Sequence, residues 1–401
     1  MKLAYFSNVY PRYAEELEAR YPDDGPRSFA QAREAFEADA YGWVGAWGPA
    51  LAPLGHEVLE VWHNVGFLQS AWGREHGIPG ADADAVALAQ LRVFAPDVLW
   101  FDHWDERLLS RVRQACPSVR GTIGWVGSAL PDTPVWRAFD LVLSCASESV
   151  ETLTARGVRA AQLHHAFQER VLHALGPREP KLALSFVGQL AADAAIHVHR
   201  ERLLERLLGE VDLAVFSPSH ARTPGSPAMR AVKGAAFVIA RALERAGVPR
   251  EALRRWPAIG AAAAWEAPPR GGLNARLQAV LRPGCFGMEL FRTLRDSRAT
   301  LNVHAGSATR FTSNMRLFEA TGAGACLLTD AAPNLAELFE PDRDVAVYRS
   351  DDECVEKARW LIAHDAEREA MALAGQQRCL AAHTFHHRAP RLDELLRQVV
   401  W

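Results

Sequence analysis

Lysine is nearly absent: of 45 basic residues only Lys2, Lys181, Lys233 and Lys357 are not arginine. We attribute that bias to genome composition rather than to function. Neither sign of charge dominates, with 45 Lys and Arg against 48 Asp and Glu and a net charge of -3 with His neutral. Without a basic surplus to displace phosphate counterions, a nucleic-acid binder working by bulk electrostatics is excluded. No run reaches the roughly 18 consecutive apolar residues of a membrane-spanning helix. The opening MKLAYFSNVYPRY reads as a strand and loop. It lacks the apolar core and small-residue cleavage site of a signal peptide, so a cytoplasmic location is expected. The six cysteines (Cys116, Cys145, Cys285, Cys326, Cys354, Cys379) are scattered, with no C-x-x-C pair. Structural zinc and a disulfide framework both lose support, and buried, small apolar thiols are expected instead.

The chain is rich in apolar and aromatic material. Hydrophobic residues make up 49% against 23% charged, enough to bury real cores. Its 401 residues suit two domains of about 100–200 residues each. Tryptophan is frequent and lopsided, with eight of the twelve lying before residue 137. Aromatic faces suit stacking on sugar rings or on a peptide acceptor. Core is the plainer reading for most of them.

Short apolar runs alternate with amphipathic stretches. Strands are expected at Lys2–Ser7, His56–Trp62, Val98–Phe101, Thr122–Val126, Leu141–Ser144 and Ala160–Leu163. Ser28 is placed to cap one long helix with the apolar stripe Phe36, Ala40, Trp43, Trp47 and Leu51. Further helices fill Asp82–Phe94, Glu106–Ala115 and Glu148–Ala155. Gly176-Pro177-Arg178-Glu179-Pro180 reads as a linker. The rhythm then restarts, with strands expected at Leu182–Val187, Asp212–Phe216, Arg276–Leu281, Thr300–His304, Ala325–Leu328 and Val345–Tyr348. The stretch Ser217–Gly272, rich in Ala, Pro and Arg, holds inserted helices, of which Met229–Ala246 is the clearest, and the tail from Asp351 is helical. This alternation implies parallel sheets covered on both faces, with ligands at the carboxyl ends of the strands.

The most informative segment runs from Leu301 to Asp330. A strand ends at His304, and Thr312 or Ser313 is placed to cap the next helix. The free N–H groups and positive dipole end of that helix suit a phosphate. Arg316 in its first turn adds a charge-assisted contact, and Glu319 one turn on can accept hydrogen bonds from sugar hydroxyls. Gly188, after Leu182–Val187, either makes a tight turn or lets a phosphate approach the backbone. Taken together, Asn314-Met-Arg-Leu-Phe-Glu319, the glycine turn, Leu328-Thr-Asp330, Glu337-Leu-Phe-Glu-Pro341 and His383-Thr-Phe-His-His387-Arg388 resemble the carboxyl-terminal domain of CgeB-like glycosyltransferases. These have the GT-B fold and are related to glycosyltransferase family 4. The resemblance runs over about residues 287–396, and Ser185-Phe-Val-Gly188-Gln-Leu190 matches the opening strand and turn of that domain. A looser likeness of the amino-terminal half rests on Leu54-Gly-His-Glu-Val58, Pro96-Asp-Val-Leu-Trp100 and Leu163-His-His-Ala-Phe167.

The resemblance implies an α/β GT-B fold, with two Rossmann-like doubly wound domains facing a central cleft. Residues 1–176 would form the acceptor domain, 177–385 the nucleotide-sugar domain, and 386–401 a helix returning to the first domain. It implies transfer of a sugar from a nucleotide diphosphate sugar to a hydroxyl of a protein, glycan or small molecule. No metal or other cofactor is required, and retention at the anomeric carbon is favoured. Donor contacts would fall to Gly188, Gln189, His304, Ser313, Asn314, Arg316 and Glu319. Family-4 enzymes carry two Glu separated by seven residues and often an Arg after the glycine of the first strand. Glu319 matches the second Glu, whereas Phe311 and Gln189 stand at the other two positions.

In the first domain Val98–Phe101 leads into Asp102-His103-Trp104-Asp105 at the cleft. His103 and Asp102 are the expected catalytic pair beside Glu319, with Asp105 either a further base or a helix cap. His164 and His165 point to opposite faces of a strand and cannot readily share an ion. Asp82-Ala-Asp84 has metal-like spacing but falls at a helix start. Plain alternatives stand beside these readings: an ordinary ion pair for Arg316 and Glu319, and packing for His304. Two other functions remain open. One is a catalytically decayed sugar-nucleotide-binding protein of a surface or coat assembly, for which Phe311 and Gln189 speak. The other is a sugar-nucleotide epimerase.

Overall fold

A computed structural model of the chain describes residues 1–22, 27–127, 129–190, 198–218, 227–257, 259–263, 273–304 and 310–400. Among these residues are two six-stranded sheets in which every pairing is parallel. The first contains β1 (Lys2–Ser7), β2 (Glu57–Trp62), β3 (Val98–Phe101), β4 (Gly121–Val126), β5 (Leu141–Ser144) and β6 (Ala160–Gln162). The second contains β7 (Leu182–Val187), β8 (Leu213–Ser217), β9 (Leu281–Pro283), β10 (Ser297–Asn302), β11 (Cys326–Asp330) and β12 (Ala346–Tyr348). The strands read as continuous apolar runs because both faces are covered. Leu3, Tyr5, Val98 and Trp100 serve one core, and Ala4, Phe6, Leu99 and Phe101 serve the core on the other side of the same sheet.

Strand order decides where ligands fit. The first sheet runs β2-β1-β3-β4-β5-β6, and the second β12-β11-β10-β7-β8-β9. Winding reverses between β1 and β3, and again between β7 and β10. At such reversals the crossovers leave in opposite directions and open a crevice above the strand ends.

Two sequence expectations are corrected. The helix begun at Ser28 does not continue to Leu51. It ends at Ala38, the backbone turns through positive φ at Ala40, Gly42 and Gly45, and a separate helix spans Trp47–Leu51. The apolar stripe survives the break because Phe36, Trp43 and Trp47 still meet in one core. Arg276–Leu281 is not a strand: Asn274 caps a helix over Ala275–Val280, and only Leu281–Pro283 joins the sheet. Ala, Leu and Gln favour the helix there, and buried Leu277 anchors it.

The tryptophan excess is mostly structural. Trp43, Trp47, Trp100 and Trp125 pack together, Trp43 and Trp125 edge to face at 4.6 Å. The helix Phe385–Val400 crosses to the first sheet. Phe385 meets the Trp47 ring at 4.9 Å, and Asp393 lies 2.7 Å from His56 Nε2. The two domains therefore touch where the chain crosses twice. There Phe167 bridges to Thr384 and packs over Gly322, where an added Cβ would lie 2.2 Å from its ring.

Candidate functional site

The crevice of the first sheet is built from the ends of β1, β2 and β3. Asp102, just past β3, accepts hydrogen bonds from Ser7 Oγ at 2.9 Å and from the Tyr5 hydroxyl at 3.1 Å. Burial pushes its carboxyl up to about 6, against the pull of those two donors. His103 follows, with Nε2 2.6 Å from the Asn8 side-chain amide. Its ring packs among Phe6, Phe101 and His63. Burial, reinforced by His63, lowers its affinity for a proton, so His103 is neutral at pH 7. His63 is itself held by Asp84 at 2.7 Å, and Asp84 also binds Arg111. Asp105 takes the capping role, accepting from the backbone of Arg107 and Leu108. Asp82 likewise caps its helix through Ala85 N–H.

The crevice of the second sheet lies over β7 and β10. Gly188 donates its N–H to Phe216 O at 3.0 Å, and an added Cβ would lie 2.9 Å from the Phe186 ring. Gln189 turns its carbonyl toward Arg200, whose guanidinium also donates to Val303 O at 2.8 Å. His304 has both ring nitrogens engaged, with Asp330 at 2.5 Å on Nδ1 and Thr312 Oγ1 at 2.5 Å on Nε2. Burial pushes the Asp330 carboxyl up, but its hydrogen bonds with His304 outweigh that and hold it below the usual range. His304 thus ties the 310–314 loop to the sheet. Thr312 and Ser313 do not cap the following helix; the N-cap is Asn314, whose amide pairs with Asn302. Thr312 is taken instead by His304 and by a reciprocal pair of bonds with Asn334.

In the helix Met315–Gly322, Arg316 Nη1 lies 2.8 Å from Glu319 Oε2. This is no surface pair: Glu319 is 7% exposed, and Arg316 Nε is buried without a protein partner. Burial raises the Glu319 carboxyl, and Arg316 opposes the shift.

Sequence reasoning missed three residues here. Arg200 was read only as part of a helix, yet it reaches the strand ends that Gln189 leaves without a cation. Tyr10, in the loop after β1, reaches the second half of the chain, with its ring 6.4 Å from that of Phe286. Glu148, on the helix Ser147–Ala155 of the first domain, accepts from the backbone N–H groups of Arg310 and Phe311 at 2.9 and 3.0 Å. Arg310 also pairs with Glu151 at 2.7 Å. The backbone at Phe311 is therefore held by a carboxylate from the other domain. A basic residue opposite a helix rich in Glu was the one available signal.

Among the described residues no group of His, Cys, Asp and Glu is arranged to hold a metal ion. The arrangement offers a cationic crevice on one side, and a carboxylate with a neutral imidazole on the other.

A search of curated proteins finds no match. Among solved structures, a glycosyltransferase from Rickettsia africae aligns with TM-score 0.55 and 6% identity, over 100% of this chain and 98% of that one. HepE from Anabaena, solved with UDP and glucose, aligns at 0.52 and 11%, over 99% and 100%. A sucrose-phosphate synthase from Thermosynechococcus elongatus aligns at 0.51 and 11%, over 100% and 99%. At these identities the likeness is one of fold, and the fold is GT-B: two Rossmann-like domains over one cleft. By sequence, residues 200–394, which hold most of the second domain and the returning helix, match the family described as Glycosyl transferase-like.

Proposed function

We propose that the protein transfers a glycosyl unit from a nucleoside diphosphate sugar to an acceptor hydroxyl, with the donor on residues 177–385 and the acceptor on 1–176. The observation behind this reading is the contact between the two halves at the 310–314 loop. Glu148 of the first half accepts from the Arg310 and Phe311 N–H groups at 2.9 and 3.0 Å, and the helix that follows this loop carries Arg316 and Glu319, so the two crevices open onto one cleft. The diphosphate sits over Gly188 and Gln189, against the N-terminus of the helix that opens at Asn314, between Arg200 and Arg316. Ser313 and His304 shape the loop beside it, and Glu319 accepts hydrogen bonds from ribose hydroxyls. As the bond from the anomeric carbon to the diphosphate oxygen breaks, its electron pair stays on the diphosphate, where the guanidinium pair and the helix dipole stabilise it. The acceptor oxygen bonds to the anomeric carbon, and its proton passes to Asp102 or His103. This charge arrangement needs no metal ion.

Calorimetry with UDP, the nucleotide bound by HepE, and then with the other nucleoside diphosphates tests the donor site. Glu319→Ala should weaken binding by about tenfold or more, the scale of a hydrogen bond to a charged group. Unchanged affinity removes Glu319 from the site, and a native protein that binds no nucleoside diphosphate overturns the reading. Phe311 in place of a glutamate favours a second reading, a binding protein without turnover. Bound nucleotide sugar that is neither cleaved nor isomerised would support it.

Asp102 gives a test with opposite signs. Its folded-state carboxyl titrates near 6, above the usual Asp value. It therefore favours folding only at low pH and costs stability once pH rises through 6. Asp102→Asn should raise stability at pH 8 by about 1–3 kcal/mol while lowering turnover. In the native enzyme kcat/KM should fall below about pH 6, as Asp102 gains its proton. Equal melting temperatures at pH 8 and an unshifted acid limb would dismiss that role.

A further inference from the structure

None of the residues assigned above to the site lies in the stretch Ser217–Gly272 that follows β8. It carries nine Lys and Arg against three Glu, a local surplus of +6 in a chain whose net charge is -3. Its long helix Pro227–Arg245 has three arcs. Ala236, Ala240 and Leu243 pack with Leu253, Ile259 and Ala263 in a small core of their own. Lys233, Arg241, Glu244 and Arg245 form a polar arc. The third arc is apolar and open. Val232, Ala235, Val238, Ile239 and Ala242 recur at helical spacing, with Val232 63%, Val238 65% and Ile239 50% exposed. Beside the same core, the short helix Arg250–Leu253 leads into Arg254-Arg255-Trp256, where Trp256 is 48% exposed.

We propose that this insertion is a docking surface for an anionic lipid bilayer. A helix with one apolar arc, a neighbouring basic arc and an exposed tryptophan suits the plane between headgroups and acyl chains. Charge selects the occupant. A second copy of the chain would set exposed Arg245 and Arg255 against the same two residues, and a zwitterionic bilayer would leave them without a counterpart. Anionic headgroups match them. No described helix is long and apolar enough to cross a membrane, so the contact lies in the membrane plane.

Flotation of the full chain with vesicles tests this. Vesicles of phosphatidylglycerol and phosphatidylcholine at 3:7 should bind at least about tenfold more protein than phosphatidylcholine alone, and rising salt should reverse the gain. Val238→Asp with Ile239→Asp should lower binding by about tenfold, as should Arg245→Glu with Arg255→Glu, because both apolar burial and basic charge are needed. These side chains are exposed, so the variants should melt like the native protein. Loss of binding confined to the charge variant overturns the apolar contact. Failure to float with anionic vesicles overturns the proposal. So does a dimer in light scattering that the Asp variant dissolves, because the face would then bind a second copy.

Discussion

His103→Ala should lower turnover about 100-fold or more, the scale of a general acid–base contribution, with nucleotide affinity nearly unchanged. His103 stands at the reversal between β1 and β3, on the first-sheet side of the cleft. Burial keeps its imidazole neutral at pH 7, the form that can take a proton. Asn8 fixes the ring through Nε2, and the Phe6, Phe101 and His63 rings confine it. A residue that only packed there would lose its stability contribution on truncation and leave turnover per folded molecule intact. Melting temperature and rate measured on one preparation separate these outcomes. A full rate in the variant would end the catalytic assignment.

The second large effect is expected at the guanidinium pair. Arg200→Ala with Arg316→Ala should weaken nucleoside diphosphate binding by about 100- to 10,000-fold, since each charge-assisted bond is worth about 1.5–3 kcal/mol. Burial lowers the Arg200 guanidinium to about 10, which still leaves it charged at pH 7. Each single variant should show roughly the square root of the pair's effect if the two act independently. Arg316→Ala carries an extra cost, because Glu319 is left buried without its cation and its carboxyl moves further up. The matching Lys variants should recover part of the affinity for phosphate but not fork-like binding. Nucleoside and nucleoside diphosphate titrated side by side give the readout. If both variants weaken the nucleoside as much as the diphosphate, the pair does not serve the phosphates.

Much of the fold was legible because parallel strands buried on both faces appear as uninterrupted apolar runs. Lys2–Ser7, Val98–Phe101, Leu141–Ser144 and Leu182–Val187 were read with the bounds they have in the structure. The long helix from Ser28 failed because its stripe has helical spacing, yet the chain breaks at Ala40 and the residues still converge in three dimensions. Arg276–Leu281 failed because a short apolar run does not distinguish a strand from one turn of buried helix. At the candidate site, the places of Asp102, His103 and Gly188 just past strand ends were legible from the strand pattern. Arg200 and Tyr10 were not, because their place depends on how distant loops fold back across the strand ends. Glu148 was invisible for the same reason, since its partner at Arg310 belongs to the other domain.

The passage of Phe385–Val400 back to the first sheet couples the amino-terminal domain to the order of synthesis. The sheet's last strand is complete at Gln162, but the helix that seals Trp47 and Trp100 begins at Phe385. At about 5–20 residues per second, the nascent domain waits roughly 10–45 s with part of its aromatic core uncovered. In that interval it is a natural client for chaperones that hold exposed apolar surface. A chain cut before Phe385 would leave the second sheet complete and the first domain unsealed, so a lesion beyond the second sheet would surface as misfolding of the first.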